Sequence, residues 1–442
     1  MATTYLTRTP ASAGNRKTFT ISAWIKRASL SVAQAFISSN NGSNDELVFR
    51  LSSNDEFRLY NYQTSGTNLN LQTSQFLRDT SAWYHIVVQT DTTQATASDR
   101  VKIYLNGSQI TSFSSATYPS QNTDLNWNMN NSHFIGFQGT NSNDYFNGSM
   151  AHINNIDGTA YDATAFGEYD ANGVWKIIVE PSVTYGNNGF FILKDGNSVT
   201  DQSGNGNNWT VAGGTLTNTE DSPSNVFATF SSLVPRTSTG SSIIPDFSNG
   251  NLSASFPSTP NRNAPSTLAV SEGKYYAEFK MTSATDGDGT FYIGVNCLAD
   301  YTNGFLGDQM YAYVDDGRKK TLGTYASYGN SYTNNDIIGI AFDATNGTVW
   351  FSKNGTWQNS ATQTEIENGT TTNAAFTSLD TSKHWNITAT GYNGKSCSVN
   401  FGNGYFGTTA VSSAGTNASG NGIFEYDVPT GYTALSTKGL NL

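Results

Sequence analysis

Short runs of alternating hydrophobic and polar residues dominate the chain, and clusters of Gly, Asn, Ser and Thr bound each run. Alternation with a period of two places successive side chains on opposite faces of a β-strand. The predicted strands of the first half are TFTISAWIKR, LVFRLSS, FRLYNYQ, WYHIVVQTD, VKIYLNG, SHFIGFQG and SMAHINNID. Those of the second half are YYAEFKMTS, TFYIGVNC, MYAYVDDG, DIIGIAFDA, TVWFSKNG and WNITATG. Many short strands with turn residues between them predict an all-β protein built from β-sandwiches.

A proline-rich segment separates the two strand-rich halves. Six of the 10 prolines lie between Pro223 and Pro265, where Ser and Thr are frequent and the strand pattern is sparse. Because proline cannot donate a backbone hydrogen bond to a sheet, we expect a joint between domains here. The sequence predicts one β-sandwich over residues 1–211, a Pro/Ser/Thr-rich joint over 212–247 and a second β-sandwich over 248–442.

Both halves contain a strand, a turn, a second strand and then an Asn-Gly pair, at Asn106-Gly107 and at Asn354-Gly355. Both residues of such a pair tolerate positive φ, which favours a tight hairpin turn. Ser or Thr follows each pair, so the triplets also match glycosylation acceptors. We interpret them as turns, because the N-terminal segment lacks the apolar core of a secretory signal.

Charge and cysteine usage narrow the range of partners. The formal net charge of -11 argues against a nucleic acid partner, because phosphate binding needs clustered Lys and Arg. Long apolar runs are missing, so we expect that the protein is made in a cytosol and does not insert into a membrane.

The two cysteines, Cys297 and Cys397, are too few for a disulfide framework. We expect two buried thiols, with a disulfide as the alternative.

Several segments of the first half carry a family resemblance: YLTRTPASAGNRKTFTISAWIKR, WYHIVV, KIYLNG and YFNGSMAHINNIDGTAYDATAFGEYDANGVW. They resemble the laminin G-like, concanavalin A-type lectin modules that are frequent in particle proteins of marine tailed phages. A later motif, which runs from Asp201 through Ser203, Asn205 and Asn207 to Trp209, is similar to the phage version, where a returning strand closes the module.

The second half, from about Ser248, contains GKYYAEFKMT, FYIGVN, NNDIIGIAFDATNGTVWFSKNGTW and VNFGNGYFG in this order. These segments resemble a SPRY domain, which implies a bent β-sandwich that binds partners through loops at one end. Together the two resemblances imply two sandwiches of the jelly-roll, concanavalin A-like kind and a role in binding.

The resemblances imply a non-enzymatic structural protein of a phage virion, such as a tail fibre, spike or capsid decoration, made in the host cytoplasm. Its expected partners are other virion proteins and host-surface glycan. A purely architectural protein without glycan binding is the first alternative, and a polysaccharide hydrolase is the second. The sequence leaves open whether the protein forms a homo-oligomer, although it contains no coiled-coil heptad that would enforce one.

Two carboxylate pairs bear on the hydrolase alternative. Concanavalin A-type glucanases present the pattern Glu-x-Asp-x-x-Glu on one strand. Glu168 and Asp170, like Glu425 and Asp427, lack the second Glu, and we expect the first pair in a turn. The sequence therefore predicts no catalytic residues. His85 is interpreted as a satisfied sheet residue, since no second ligand lies at metal-binding spacing.

One calcium hypothesis has a sequence basis. SSNNGSNDELVF and GFQGTNSNDYFNG resemble the two calcium-bearing loops of pentraxins, which would make Asn44, Asp45, Asn143 and Asp144 ligands. Calcium prefers several oxygen ligands, and this set supplies only two carboxylates. Asn-rich turns that cap their own backbone are the alternative interpretation.

Candidate ligand-binding residues combine aromatic and amide side chains in predicted loops, because sugars bind aromatic faces and amide groups. In the first domain they are Trp127, Asn143 and Asp144. In the second domain, where the SPRY resemblance implies partner-binding loops, they are Tyr301, Phe305, Tyr325 and Tyr328. Trp127 has an alternative role as a plug at the sandwich end.

Overall fold

The computed structural model describes residues 3–41, 45–64, 66–139, 141–194, 196, 198–233, 244–257, 261–283, 287–300 and 310–441. The chain divides into two compact units, Met1–Asn218 and Thr219–Leu442. Strands make up almost all of the regular structure in both, which confirms the prediction of an all-β protein with two sandwiches.

The first unit is a sandwich of two large antiparallel sheets. Its strands are β1 (Tyr5–Arg8), β2 (Thr18–Arg27), β3 (Gln34–Asn40), β4 (Glu46–Leu51), β5 (Glu56–Gln63), β6 (Gly66–Phe76), β7 (Tyr84–Asp91), β8 (Val101–Leu105), β9 (Ser108–Gln109), β10 (Phe113–Thr117), β11 (Ser132–Ile135), β12 (Phe137–Gln138), β13 (Asn141–Tyr145), β14 (Gly148–Asp157), β15 (Gly167–Tyr169), β16 (Trp175–Ile177), β17 (Phe190–Ile192) and β18 (Thr210–Gly213). The eight-stranded sheet has the order β10-β6-β5-β4-β3-β11-β1-β18, and the six-stranded sheet has the order β17-β14-β2-β7-β8-β9. Two further pairs, β12-β13 and β15-β16, form small separate ladders. Short 3-10 helices span Ala97–Asp99 and Ala163–Ala165.

The core of the first unit follows from the predicted alternation. Phe19, Ile21 and Ile25 of β2 project inward and are almost completely buried. Their neighbours in β4 and β5, such as Phe49 and Leu59, belong to the same buried cluster. Burial of these apolar faces between two sheets is the main stabilising contribution in a fold of this kind.

The second unit is also a sandwich of two large sheets. Its strands are β19 (Asp246–Ser248), β20 (Ser253–Phe256), β21 (Arg262–Val270), β22 (Lys274–Ser283), β23 (Phe291–Asn296), β24 (Met310–Val314), β25 (Arg318–Thr321), β26 (Thr324–Ser327), β27 (Ile337–Asp343), β28 (Thr348–Lys353), β29 (Thr356–Trp357), β30 (Trp385–Gly391), β31 (Lys395–Asn400), β32 (Tyr405–Phe406), β33 (Thr409–Ala410) and β34 (Thr433–Ala434). One sheet has the order β19-β20-β31-β22-β27-β28-β29, with β34 added to β22, and the other has the order β21-β30-β23-β24-β25-β26. The short helix α1 spans Gln363–Glu367, and 3-10 turns span Leu298–Asp300 and Gly439–Asn441. Cys297 and Cys397 are buried free thiols in the core between the sheets.

The boundary between the units differs from the proline-rich joint predicted over residues 212–247. Strand β18 pairs with β1, so the first unit continues beyond residue 211. Phe227 and Phe230 are buried in the second unit, where Phe227 forms a β-bridge with Ser436. The prolines did not prevent this packing, and Pro265 lies inside β21, next to an irregularity in its pairing with β30.

The two Asn-Gly pairs form the predicted hairpin turns. Asn106 and Gly107 have φ values of 47° and 82°, and Asn354 and Gly355 have values of 49° and 77°. These turns connect β8 to β9 and β28 to β29. A Cβ atom on Gly107 would lie 2.4 Å from the ring of Trp175, so this turn also requires glycine for close packing.

Strand β22 has two different faces. Ala277, Phe279 and Met281 point into the core between the sheets. The opposite face is covered over its first half, where Tyr276 packs with Phe424 and other residues of the C-terminal segment. Beyond this cover, Lys280 and Thr282 of the same face line a groove.

Candidate functional site

Trp127, which the sequence offered as a candidate ligand contact, is a core residue. Its side chain is 1% exposed and packs edge-on against His133, with 4.5 Å between the ring centroids. The indole N–H donates to Oδ1 of Asn155 at 2.8 Å. Asn155 in turn donates to Oδ1 of Asn128 at 2.9 Å. The polar loop therefore crosses the sandwich end with its tryptophan inward, which matches the alternative role as a plug.

Asp144 lies on the β12-β13 ladder and forms an ion pair with Arg50 of β4, with 2.9 Å between Oδ2 and Nη2. Both side chains are mostly buried. Burial raises the pKa of Asp144, and the guanidinium of Arg50 opposes this change. The carboxylate therefore holds the small ladder against the outer face of the eight-stranded sheet.

Asp45, the other described carboxylate of the predicted calcium set, has partners of its own. Asp45 accepts hydrogen bonds from Nδ2 of Asn41 at 2.8 Å and from the hydroxyl of Thr64 at 3.1 Å. Asn44 and the side chain of Asn143 lie outside the described residues. Within the described ranges, no three His, Cys, Asp or Glu side chains converge as a metal site requires. The described members do not fit a calcium ion, because a guanidinium already neutralises Asp144.

Two of the four aromatic residues predicted in the second unit are described, and of these Tyr325 is partly exposed. Its hydroxyl lies 3.1 Å from that of Tyr292, and the Arg318 guanidinium lies 4.2 Å from its ring centroid. Tyr328 is buried, because its ring packs between core aromatics and its hydroxyl accepts the backbone N–H of Phe351 at 3.2 Å. Tyr328, which was predicted as a partner contact, therefore belongs to the core.

Tyr301 and Phe305 lie in residues 301–309, outside the described part of the chain. Tyr325 belongs to β26, which is the edge strand of the six-stranded sheet. An edge position with cationic and aromatic neighbours is suited to contacts with a partner.

The structure contains a polar groove that the sequence did not predict. It lies on the open face of the sheet formed by β20, β31 and β22 and encloses about 530 Å³. We call it the hydroxyl groove; it is lined by Ser248, Asn249, Ser253, Ala254, Ser255, Lys280, Thr282, Asn335, Ser396, Cys397, Ser398, Phe406, Thr408 and Thr409. In the β20-β31 register, Ser253 pairs with Ser398 and Ser255 with Ser396. Alternate residues share a face of a strand, so these four serines form the floor.

Hydrogen bonds between hydroxyl groups order this floor. Ser253 and Ser398 are 2.7 Å apart between their Oγ atoms, and Thr282 Oγ1 lies 2.7 Å from the Oγ of Ser396. The β32-β33 hairpin forms one wall. A Cβ on its Gly407 would lie 2.6 Å from the Oγ of Ser253, so glycine lets the wall approach the floor closely.

Glu278 is the carboxylate with the most unusual environment near this face. It is buried, and its oxygens accept the backbone N–H groups of Glu425 at 2.8 Å and of Tyr426 at 2.9 Å. Burial raises the pKa of Glu278 to about 7, although these hydrogen bonds oppose the change. The side chain ties the C-terminal segment to β22, a role that the isolated Glu in KYYAEFKMTS did not indicate.

The two carboxylate pairs considered for hydrolysis stabilise loops. Glu168 lies in β15, so the expectation of a turn at this residue is wrong. The neighbouring Asp170 accepts the backbone N–H of Val174 at 2.9 Å. In the second pair, Glu425 accepts the backbone N–H of Ser412 at 2.7 Å. These contacts assign Asp170 and Glu425 to loop capping.

His85 is a satisfied residue of the six-stranded sheet, as the sequence indicated. Its ring stacks on Trp24, with centroids 4.5 Å apart, and accepts the indole N–H of Trp175 at Nδ1 over 3.0 Å. Because Nδ1 accepts, Nε2 carries the proton and donates to Ser22 at 2.8 Å. Burial lowers the pKa of His85 to about 3, and nearby His152 contributes to the shift.

Two family models match parts of this chain. Residues 2–163 match the family model described as the concanavalin A-like lectin/glucanases superfamily, and residues 274–404 match the SPRY domain model. The crystal structure of the SPRY domain of human HERC1 is similar, with 18% sequence identity, coverage of 34% of this chain and 87% of that chain, and a TM-score of 0.27. The first unit carries a concanavalin A-like domain and the second a SPRY domain, which indicates a binding or adhesion role. No helix in the described part of the chain has the length and apolar character needed to cross a membrane.

Proposed function

We propose that this chain, which carries a concanavalin A-like domain followed by a SPRY domain, is a non-enzymatic structural protein of a tailed-phage virion. It is made in the host cytoplasm and joins the particle, where it adheres to host-surface glycan or contacts neighbouring virion proteins. The presence of two binding domains in one chain carries this proposal. Two rigid sandwiches of this kind display loops and sheet faces to partners without disturbing their cores.

The motif that resembles the phage modules supports the proposal through its structural role. The Asp201 carboxylate accepts the backbone N–H groups of Phe191 at 2.8 Å and of Ser203 at 2.9 Å. Trp209 is buried against Phe190. The motif therefore holds the last part of the first unit onto β17, which is the closing role that the phage resemblance implies.

One observation favours a purely architectural role for the first domain. Trp127 and Asp144, which were the candidate ligand contacts, make protein contacts instead. A decoration protein that binds only its neighbours on the particle needs stable sandwiches and no sugar site. The two roles differ in whether the isolated protein recognises cells.

The decisive experiment combines localisation with competition. Antibodies against this chain, used with gold labels, should decorate purified phage particles in electron micrographs. The purified protein should then reduce adsorption of the same phage to its host, and enzymatic removal of host surface polysaccharide should abolish binding of the protein. Labelled particles, together with phage adsorption that the purified protein does not reduce, would support the architectural role. Unlabelled particles would refute the virion assignment.

A further inference from the structure

The hydroxyl groove offers hydrogen-bonding groups that no described part of the protein uses. The hydroxyls of Ser255, Thr408 and Thr409 are exposed and have no hydrogen-bond partner among the described residues. They stand on two sides of the groove, one on the floor and two on the hairpin wall. A hydroxyl group is both donor and acceptor, so these positions suit a ligand that carries hydroxyls itself.

The groove also contains one positive charge. Lys280 projects from β22 and forms no ion pair with any residue that the structure describes. Its Nζ lies 5.9 Å from the ring centroid of Phe406. The described lining contains no Asp or Glu, although the whole chain has a formal net charge of -11. An uncompensated ammonium in an acidic protein favours an anionic ligand at this point.

The size and polarity of the groove restrict the ligand further. Its volume of about 530 Å³ lies within the range of roughly 300–1,000 Å³ that is typical of small-molecule sites. Most such sites are apolar, whereas Ser, Thr and Asn side chains dominate this one. The lining therefore matches a compact, highly hydroxylated molecule better than a lipid or an aromatic compound.

We propose that the hydroxyl groove binds an acidic saccharide unit. The carboxylate or sulfate of the sugar pairs with Lys280, and its hydroxyls bond to Ser255, Thr408 and Thr409. This inference rests on the proposed glycan adhesion, and it assigns the sugar contact to a sheet face of the second unit. The ordered Ser253–Ser398 and Thr282–Ser396 pairs keep the floor rigid, which reduces the entropy lost on binding.

The test measures binding of glucuronate, glucose and inorganic sulfate to the full-length protein by ligand-observed NMR titration. Glucuronate should bind more tightly than either glucose or sulfate. Lys280→Met should weaken glucuronate binding roughly tenfold, as expected for the loss of one charge-assisted hydrogen bond. Ser255→Tyr, which fills the floor and retains Lys280, should abolish glucuronate binding. Lys438→Met makes the same charge change at an exposed residue outside the groove and should have no effect.

Three results of the NMR titration would overturn the inference. Equal affinity for glucose and glucuronate would remove the role of Lys280, and sulfate binding as tightly as glucuronate would reduce the groove to a simple anion site. Unchanged glucuronate binding in the Lys280→Met and Ser255→Tyr variants would place the site elsewhere. Host-cell binding that survives both substitutions would leave the proposed adhesion intact while this inference fails. If the unaltered protein binds neither cells nor glycans, both the proposed adhesion and this inference fail.

Discussion

Trp127 donates its indole N–H to Asn155, and this 2.8 Å bond joins an Asn-rich loop to strand β14. The same Asn155 side chain donates to the backbone carbonyl of Asn188 at 3.1 Å. Three chain segments therefore meet at one amide group at the end of the first sandwich. The arrangement gives a stabilising role to a residue whose sequence context had suggested a sugar contact.

Trp127→Ala should lower the free energy of unfolding by about 3–5 kcal/mol, because it leaves a large cavity in the core. Trp127→Phe should cost less, since it retains an aromatic ring and loses mainly the hydrogen bond to Asn155. Chemical denaturation followed by circular dichroism measures both. Wild-type stability of the alanine variant would contradict the buried position.

Acidification should destabilise the first unit through His85. The pKa of about 3 in the folded state lies below the ordinary value of 6.5, so the unfolded chain binds the proton more readily. The contribution of neutral His85 is therefore complete above pH 6.5 and is lost as the pH falls toward 3. Over this window the slope approaches about 1.4 kcal/mol per pH unit for one such group.

His85→Gln should flatten this acid dependence, although it also lowers stability at neutral pH by removing the stacked ring. The measurement is the free energy of unfolding of both proteins between pH 4 and pH 7. His384→Gln changes an exposed histidine and should keep the wild-type slope. Parallel curves for wild type and His85→Gln would show that His85 does not titrate as the structure implies.

Glu278 should have the opposite pH dependence. Its pKa of about 7 in the folded protein lies above the ordinary value of 4.5, so folding favours the protonated carboxyl. Its contribution is complete below pH 4.5 and is lost as the pH rises through 7. The unfolding free energy of the wild type should therefore fall between pH 4.5 and pH 8, and Glu278→Gln, which has no proton to lose at this position, should not share that fall.

Glu278→Gln should in addition loosen the C-terminal segment. The two carboxylate oxygens accept two different backbone N–H groups, and an amide can accept only one of them. We expect a loss of about 1–3 kcal/mol and faster proteolysis within residues 411–432. Glu272→Gln, at an exposed position, is the matched control. Equal cleavage rates would indicate that Glu278 does not hold the segment.

Asp144→Asn should destabilise the first unit by about 1–3 kcal/mol, because Arg50 loses its counter-ion in a mostly buried position. Calcium chloride and EDTA should leave the melting temperature of the wild-type protein unchanged. Asp124→Asn removes an exposed carboxylate from the same unit and serves as the control. A melting temperature that rises with calcium in the wild type, and not in Asp144→Asn, would restore the calcium hypothesis.

The strands and hairpins could be predicted because they depend on local pattern. The alternation in TFTISAWIKR and the Asn106-Gly107 pair carry their own structural preference. The burial of the loop aromatics could not be predicted, because segments far away in the sequence cover Trp127 and Tyr328. The hydroxyl groove was hidden for the same reason, since Ser253 and Ser398 become neighbours only through the register of β20 and β31.

The bridge between Phe227 and Ser436 brings the beginning and the end of the second unit together. The backbone N–H of Ala228 also donates to the carbonyl of Leu435 at 2.9 Å. A module whose ends meet can be spliced into a loop of another protein, or circularly permuted, with little cost to its core. The second unit therefore meets this geometric requirement for insertion or permutation.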